Sequence, residues 1–272
     1  GQIFVSCAGG LTTRAKFSFT RENAPEDYFF IKVAIKGLLG GHSGDDIDKK
    51  HANAIKILTR FLFKEQEKTD LRLAQFNSGK MHNAIPRDGS VVFAVPADMK
   101  ETVRADWNVF ATEVEEEFHV TDTTMKFMME STERCEVMPK ETSTKIILAL
   151  QGIDNGIFAM CQDEALSWMV ETSSNVASVT TSENSLEVVA SQRSNVMSNL
   201  ENQCNTIKAV FQLAGAEVKQ GDGYPACKMK ADSELTKTAV ESYKKLFGKE
   251  PVVKGIHAGL ECGLFSERYP DL

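Results

Sequence analysis

The chain has 272 residues, 42% hydrophobic and 25% charged, with a formal net charge of -7, the composition of a globular protein able to bury a sizeable core. The acidic balance excludes a nucleic-acid backbone or an anionic membrane as expected partner, because both recruit a basic footprint. No apolar run approaches the roughly 20 residues of a membrane span and no signal segment opens the chain, while six cysteines without a CxxC pair read as reduced core residues of a cytoplasmic protein.

In chain order, residues 2–7 (QIFVSC) read as a short buried strand broken by Gly9 and Gly10. YFFIKVAIK (28–36) alternates apolar and polar positions, the period of a half-buried strand. After KGLLGGHSGDDI, the residues Ile47, Ala54, Ile55, Leu58, Phe61 and Leu62 recur at helical spacing. One helix is therefore expected there, with Ser43, Asp45 and Asp46 in its first turn. Strands follow over 70–76 and 90–95. A helix from Asp98 then carries Met99, Val103, Trp107, Phe110, Val114 and Phe118 on one stripe, opened by an Asp98–Glu101 capping box. A strand near 122–130 closes the set. This order is that of the split ferredoxin-like unit, a sheet with two helices on one face.

The following residues repeat the order without its first strand. A helix is expected near 140–151, strands near 168–180 and 185–192, a helix carrying Leu200, Cys204, Ile207, Phe211 and Ala214, and a short strand over 216–221. Past the GDGYP turn, a helix over 232–247 is expected, capped by Asp232 and turning Leu235, Ala239, Tyr243 and Leu246 inward. PVVKGIHAG then reads as a buried strand running into a glycine loop. The chain starts at Gly1 without a methionine and reads as a piece of something longer. The expected division is 1–12 and 222–272 as parts of one domain, with 13–221 between them as two repeats, 13–135 and 136–221.

Four stretches could carry chemistry. His42, framed by Gly40, Gly41 and Gly44, either helps start the helix through backbone bonds or offers an imidazole to a developing oxyanion. Asn83 stands in the HNAIPRDG turn, where asparagine commonly serves its backbone preference, and His82 beside it reads as a solvated neighbour. Arg193 ends the strand LEVVASQR, either as a surface residue or as a fork for a carboxylate. His257 and Glu261 lie among Gly259 and Gly263 at a strand's C-terminal end, where open α/β sheets face ligands. Two such residues do not make a hydrolytic metal site, and no GxSxG elbow, HExxH or phosphate loop is present.

KGLLGGHSGDDI, HNAIPRDG, VETSSNVASV, SQRSN, GYPAC and HAGLECGLF, in this order, resemble the aminoacyl-histidine dipeptidases. These belong to the zinc metallopeptidase superfamily that includes carboxypeptidase G, aminoacylase and peptidase V. The resemblance implies an α+β lid of two ferredoxin-like repeats, flanked by partial segments of an α/β catalytic domain. It implies a cytoplasmic hydrolase of Xaa-His dipeptides of the carnosine kind, with two zinc ions whose ligands lie outside this chain, so that the fragment alone is inactive. His42 would match the lid histidine that polarises the scissile carbonyl, Asn83 a residue facing substrate, Arg193 the clamp on the terminal carboxylate, and Glu261 a border of the pocket. The expected partner is a small peptide, with the chain monomeric or paired in a homodimer through a free edge strand. Two alternatives stand beside this reading: a non-catalytic ferredoxin-like regulatory or dimerisation module, and another di- or tripeptidase of the same superfamily.

Overall fold

The computed structural model describes residues 1–162, 167–221, 223–227 and 233–269. Strands β1 (Gln2–Cys7) and β2 (Gly9–Ser18) open the chain, followed by β3 (Glu22–Asn23), β4 (Tyr28–Lys36) and β5 (Gly41–His42). Helix α1 (Ala54–Gln66) leads to β6 (Arg72–Ser78), β7 (Ala84–Ile85) and β8 (Gly89–Pro96). Next come α2 (Lys100–Glu117), β9 (Lys126–Ser131), β10 (Glu136–Val137), α3 (Lys140–Gly152) and β11 (Gly156–Met160). Strands β12 (Val170–Thr181) and β13 (Ser185–Ser194) precede α4 (Met197–Leu213) and β14 (Glu217–Gln220). The described chain ends with α5 (Glu234–Phe247), β15 (Val252–Ile256) and α6 (Glu261–Arg268).

One nine-stranded sheet dominates, in the order β14-β2-β13-β12-β6-β8-β4-β9, with β11 added beside β12. In the first quartet β4 pairs antiparallel with β8 and β9, and β8 with β6. Alternation explains its two faces. Val33, Ile35, Leu73, Val91, Phe93 and Val95 join the main core with Ile55, Leu58, Phe61 and Leu62 of α1 and Val103, Trp107, Phe110 and Val114 of α2. Phe30, Ala74, Val92 and Ala94 form a smaller cluster of their own. Phe61 meets Trp107 edge-on, ring centroids 4.8 Å apart, and each such buried side chain contributes about 1.5–3 kcal/mol.

The second quartet is β2, β12, β13 and β14, again antiparallel throughout. Its first strand is β2, which precedes the whole first quartet in sequence. The first strand ends at Cys7 as expected, but Gly9 and Gly10 open β2 rather than a loop, and β2 continues past residue 12 to Ser18. The glycines are there for close approach instead. A Cβ on Gly9 would stand 2.9 Å from the Ala226 nitrogen, and one on Gly10 2.4 Å from the Tyr224 hydroxyl. The quartets meet where β12 pairs with β6, Val179 opposite Ser78.

Other expectations are corrected by local chemistry. The helix after the glycine loop does not start at Ser43–Asp46. A 3-10 turn, Ile47–Lys49, comes first, and Lys50 then takes a left-handed φ of 56°. Helix α1 is capped by Asn53, whose Oδ1 accepts from the Ile55 and Lys56 N–H groups. The Asp98–Glu101 box is not formed, because Asp98 lies in a 3-10 turn and α2 begins at Lys100 without a side-chain cap. Asp232 lies outside the described residues, and Ser233 caps α5 through the Thr236 N–H. Leu235 and Leu246 are each 75% exposed rather than inward, and Val252 and Val253 of β15 are exposed too. The physical reason is that β15 pairs only with β1, in parallel, in a sheet of two strands, and α5 packs on β1 without fully burying any of its own residues. Cys135 and Cys262 are exposed, while the other four cysteines are buried as expected. Among the described residues no helix is long and apolar enough to cross a membrane.

Candidate active site

The glycine loop and the HNAIP turn are distant in sequence and adjacent in space. Strand β5 pairs with β7, His42 opposite Ala84, and the Ser43 N–H donates to the Asn83 carbonyl at 2.9 Å. Gly40 and Gly41 have φ of 67° and 138°, a path that glycine takes at little cost because it lacks a Cβ. The His42 N–H donates to Asp46 Oδ2 at 2.7 Å, and Lys49 pairs with the same carboxylate. Lys49, aided by that N–H, holds the Asp46 carboxyl below its ordinary range.

The ring of His42 is fixed by its own loop. Nδ1 accepts from the Gly44 N–H at 3.2 Å and the Asp45 N–H at 3.1 Å. A nitrogen that accepts carries no hydrogen, so the neutral ring bears its hydrogen on Nε2. Burial pulls the imidazole below its ordinary pKa and the Arg193 guanidinium adds to this, against a smaller pull from Asp45 and Asp46. The loop thus presents a neutral histidine whose Nε2–H has no acceptor among the described residues. The two readings of His42 are compatible: one nitrogen serves the backbone and the other is left to donate.

Arg193 is only 6% exposed, so it is not the surface residue that a strand-end arginine usually is. Its Nε and Nη2 reach Ser43 Oγ at 3.4 and 3.3 Å, and Nη1 donates to the Tyr224 hydroxyl at 2.6 Å. No carboxylate pairs with it among the described residues. A guanidinium has five N–H donors, so some are left unused beside a cleft of about 240 Å³ lined by Arg193, Tyr224, His82 and Gly10. A buried cation without a counter-ion is costly, and a bound anion would relieve that cost.

Asn83 is half-buried in a turn that the second quartet holds. Asn175 of β12 donates to the Ala84 carbonyl at 2.8 Å, and Ser191 of β13 to the His82 carbonyl at 2.5 Å. His82 is exposed, as expected of a solvated neighbour, yet it stands at the rim of the Arg193 cleft. Glu261 is the first residue of α6, exposed, and its carboxylate makes no hydrogen bond or ion pair among the described residues. The structure therefore brings His42, Asn83 and Arg193 into one neighbourhood and leaves Glu261 without a contact to them.

Two residues of this neighbourhood, Ser43 and Tyr224, were not singled out as site residues in the sequence, and a third, His257, was named there without a role. Ser43 joins the histidine loop to Arg193, and Tyr224 flanks Arg193 on the other side. His257 is buried, its Nε2 2.7 Å from Ser173 Oγ, and a Cβ on Gly44 would come 2.1 Å from its carbonyl oxygen. Burial first, and then the Arg193 charge, push His257 from 6.5 to about 3, so it is neutral. The usable signal for Tyr224 was glycine: Gly10 and Gly259 clear space for its ring.

Among the described residues no group of three or more His, Cys, Asp or Glu side chains could hold a metal ion. They do not fit as the donor set of a two-zinc centre.

Comparison with known proteins agrees with the motifs. A family model described as a peptidase dimerisation domain matches residues 33–122. The cytosol non-specific dipeptidase of Escherichia coli (strain K12) is 34% identical over 274 residues, covering 100% of this chain and 56% of that protein. The crystal structure of aminoacylhistidine dipeptidase from Vibrio alginolyticus superimposes with a TM-score of 0.92 at 34% identity, covering 100% of this chain and 55% of that one. The chain spans a little over half the length of both. It belongs to the peptidase family of these two dipeptidases.

Proposed function

We propose that the chain is the lid region of a zinc-dependent cytosolic dipeptidase acting on Xaa-His dipeptides, built on two ferredoxin-like units, with the metal ligands supplied from outside these residues. The zinc centre would activate the attacking water. This chain's own part is to hold the substrate and to receive the charge that develops on the scissile carbonyl oxygen. His42 Nε2–H donates to that oxygen from a loop whose geometry is set before substrate arrives. Arg193 takes the terminal carboxylate, and Ser43 ties the two groups together. Asn83 faces the substrate from the adjoining turn, and Glu261 borders the pocket.

The observation that carries this reading is the buried guanidinium of Arg193, without a carboxylate partner among the described residues and hydrogen-bonded to the residue next to His42. In the full-length protein, His42→Ala is expected to lower kcat by about 10²–10³, the usual loss for an oxyanion donor, with a much smaller change in KM. Arg193→Ala is expected to raise KM for a histidine-terminated dipeptide and to leave its C-terminal amide little affected. An unchanged kcat in the first variant, or equal harm to acid and amide in the second, would remove the assigned role. The two relatives' names favour the dipeptidase over a regulatory module, and carnosine-like hydrolysis by the full-length protein is the direct measurement.

A further inference from the structure

We propose that Tyr224 is a second donor to the substrate's terminal carboxylate, completing with Arg193 a two-residue acid clamp; this rests on the reading of Arg193 as the anion site. The placement of Tyr224 is built from several directions. Its backbone is pinned to β2 by a reciprocal pair of hydrogen bonds, Gly10 N–H to the Tyr224 carbonyl at 3.0 Å and Tyr224 N–H to the Gly10 carbonyl at 2.9 Å. Its ring lies where side chains at Gly10 and Gly259 would stand, 2.4 and 2.3 Å from an added Cβ. Two glycines from separate segments are thus given over to one phenol.

The hydroxyl accepts from Arg193 Nη1 at 2.6 Å. A phenol that accepts from a cation still has its own hydrogen to donate, and no acceptor for it is found among the described residues. Tyr224 and Arg193 both line the same cleft of about 240 Å³. A phenol and a buried guanidinium lining one small space, each with a donor to spare, match a carboxylate and oppose a carboxamide, whose NH₂ would face donors. The substrate class is therefore a short peptide or acylated amino acid ending in a free acid.

The test uses the full-length protein, with Tyr224→Phe, Arg193→Ala and the double variant, on a dipeptide and its C-terminal amide. Phenylalanine keeps the ring between the two glycines, so the variant is expected to fold, and circular dichroism checks this. Tyr224→Phe should raise KM for the acid about tenfold, the loss of one hydrogen bond to a charged group, with kcat near its original value and the amide unchanged. In the Arg193→Ala background it should weaken acid binding several-fold again. No further loss in that background would overturn the proposal, because Tyr224 would then act only by orienting Arg193. Equal losses for acid and amide would overturn it as well. If Arg193→Ala alone keeps the original preference for acid, the reading of Arg193 fails, and the acid-to-amide ratio of Tyr224→Phe still decides Tyr224 separately.

Discussion

At the scale of single residues, histidine tautomers carry most of the chemistry. His42 has Nδ1 occupied by two backbone N–H groups, which fixes the hydrogen on Nε2 and disfavours the doubly protonated ring. Nitrogen NMR of the labelled chain should find His42 as the Nε2–H tautomer at neutral pH, with a titration midpoint below the ordinary histidine value. A hydrogen on Nδ1, or a midpoint above that value, would contradict the oxyanion geometry. His257 supplies a stability prediction. Its folded pKa, about 3, lies below the 6.5 of an unperturbed histidine, so the unfolded chain takes up the proton first. Stability is whole above 6.5 and falls as the pH drops towards 3, at up to about 1.4 kcal/mol per pH unit. Thermal unfolding between pH 7 and 4.5 should therefore steepen with acid in the original chain and less so in His257→Gln; parallel curves would show that His257 is not the group responsible. The glycines around His42 advertised a cleared approach, and Arg193 was visible as a strand-end cation. Ser43 was not legible, because a serine after a histidine looks like any helix cap until Arg193 is folded against it.

Elements whose periodicity matched their burial were readable, and those set by side-chain capping were not. The stripe Val103, Trp107, Phe110 and Val114 is buried as its spacing requires. The start of α1 was misplaced because Asp45 and Asp46 look like cap residues, whereas Asp46 is engaged by His42 and Lys49 and Asn53 does the capping. Asn53 also links elements: its Nδ2 donates to Asn155 Oδ1, Asn175 Oδ1 and the Val176 carbonyl at 3.1, 3.3 and 2.9 Å. Asn175 in turn holds the Ala84 carbonyl of the HNAIP turn. Asn53→Ala removes a cap and orphans buried acceptors, an expected cost of roughly 2–3 kcal/mol, or about 5–10 °C in Tm for a chain of this size. Asn53→Asp keeps the cap and loses the donors, so it should fall between the two in a melting experiment. A melting temperature for Asn53→Ala within a degree of the original would show that the network is not a stability element.

For the whole molecule, the sequential repeats seen along the chain are not the spatial ones. The second quartet borrows β2 from ahead of the first, so the first quartet falls between β2 and β12 in sequence while the two quartets lie side by side in the sheet. That arrangement was illegible because strand order is set by long-range pairing, and a glycine pair at a strand start looks locally like a stop. The remaining residues behave differently. A parallel strand pair is normally covered on both faces, yet β1 and β15 form a separate two-stranded sheet, Phe4, Val252 and Val253 are exposed, and α5 buries no residue. Leu246, Phe247, Leu264 and Phe265 are exposed beside them. Few buried apolar contacts mean a low free energy of local opening. Limited trypsin digestion of the chain should therefore cut first in α5, at the exposed Lys237, Lys244 or Lys245, while residues 9–221 survive as one body. β2 and β14 lie in one sheet with the strands of both quartets, so a first cut between the quartets, near residues 132–139, would show that the shared sheet does not hold the two units together.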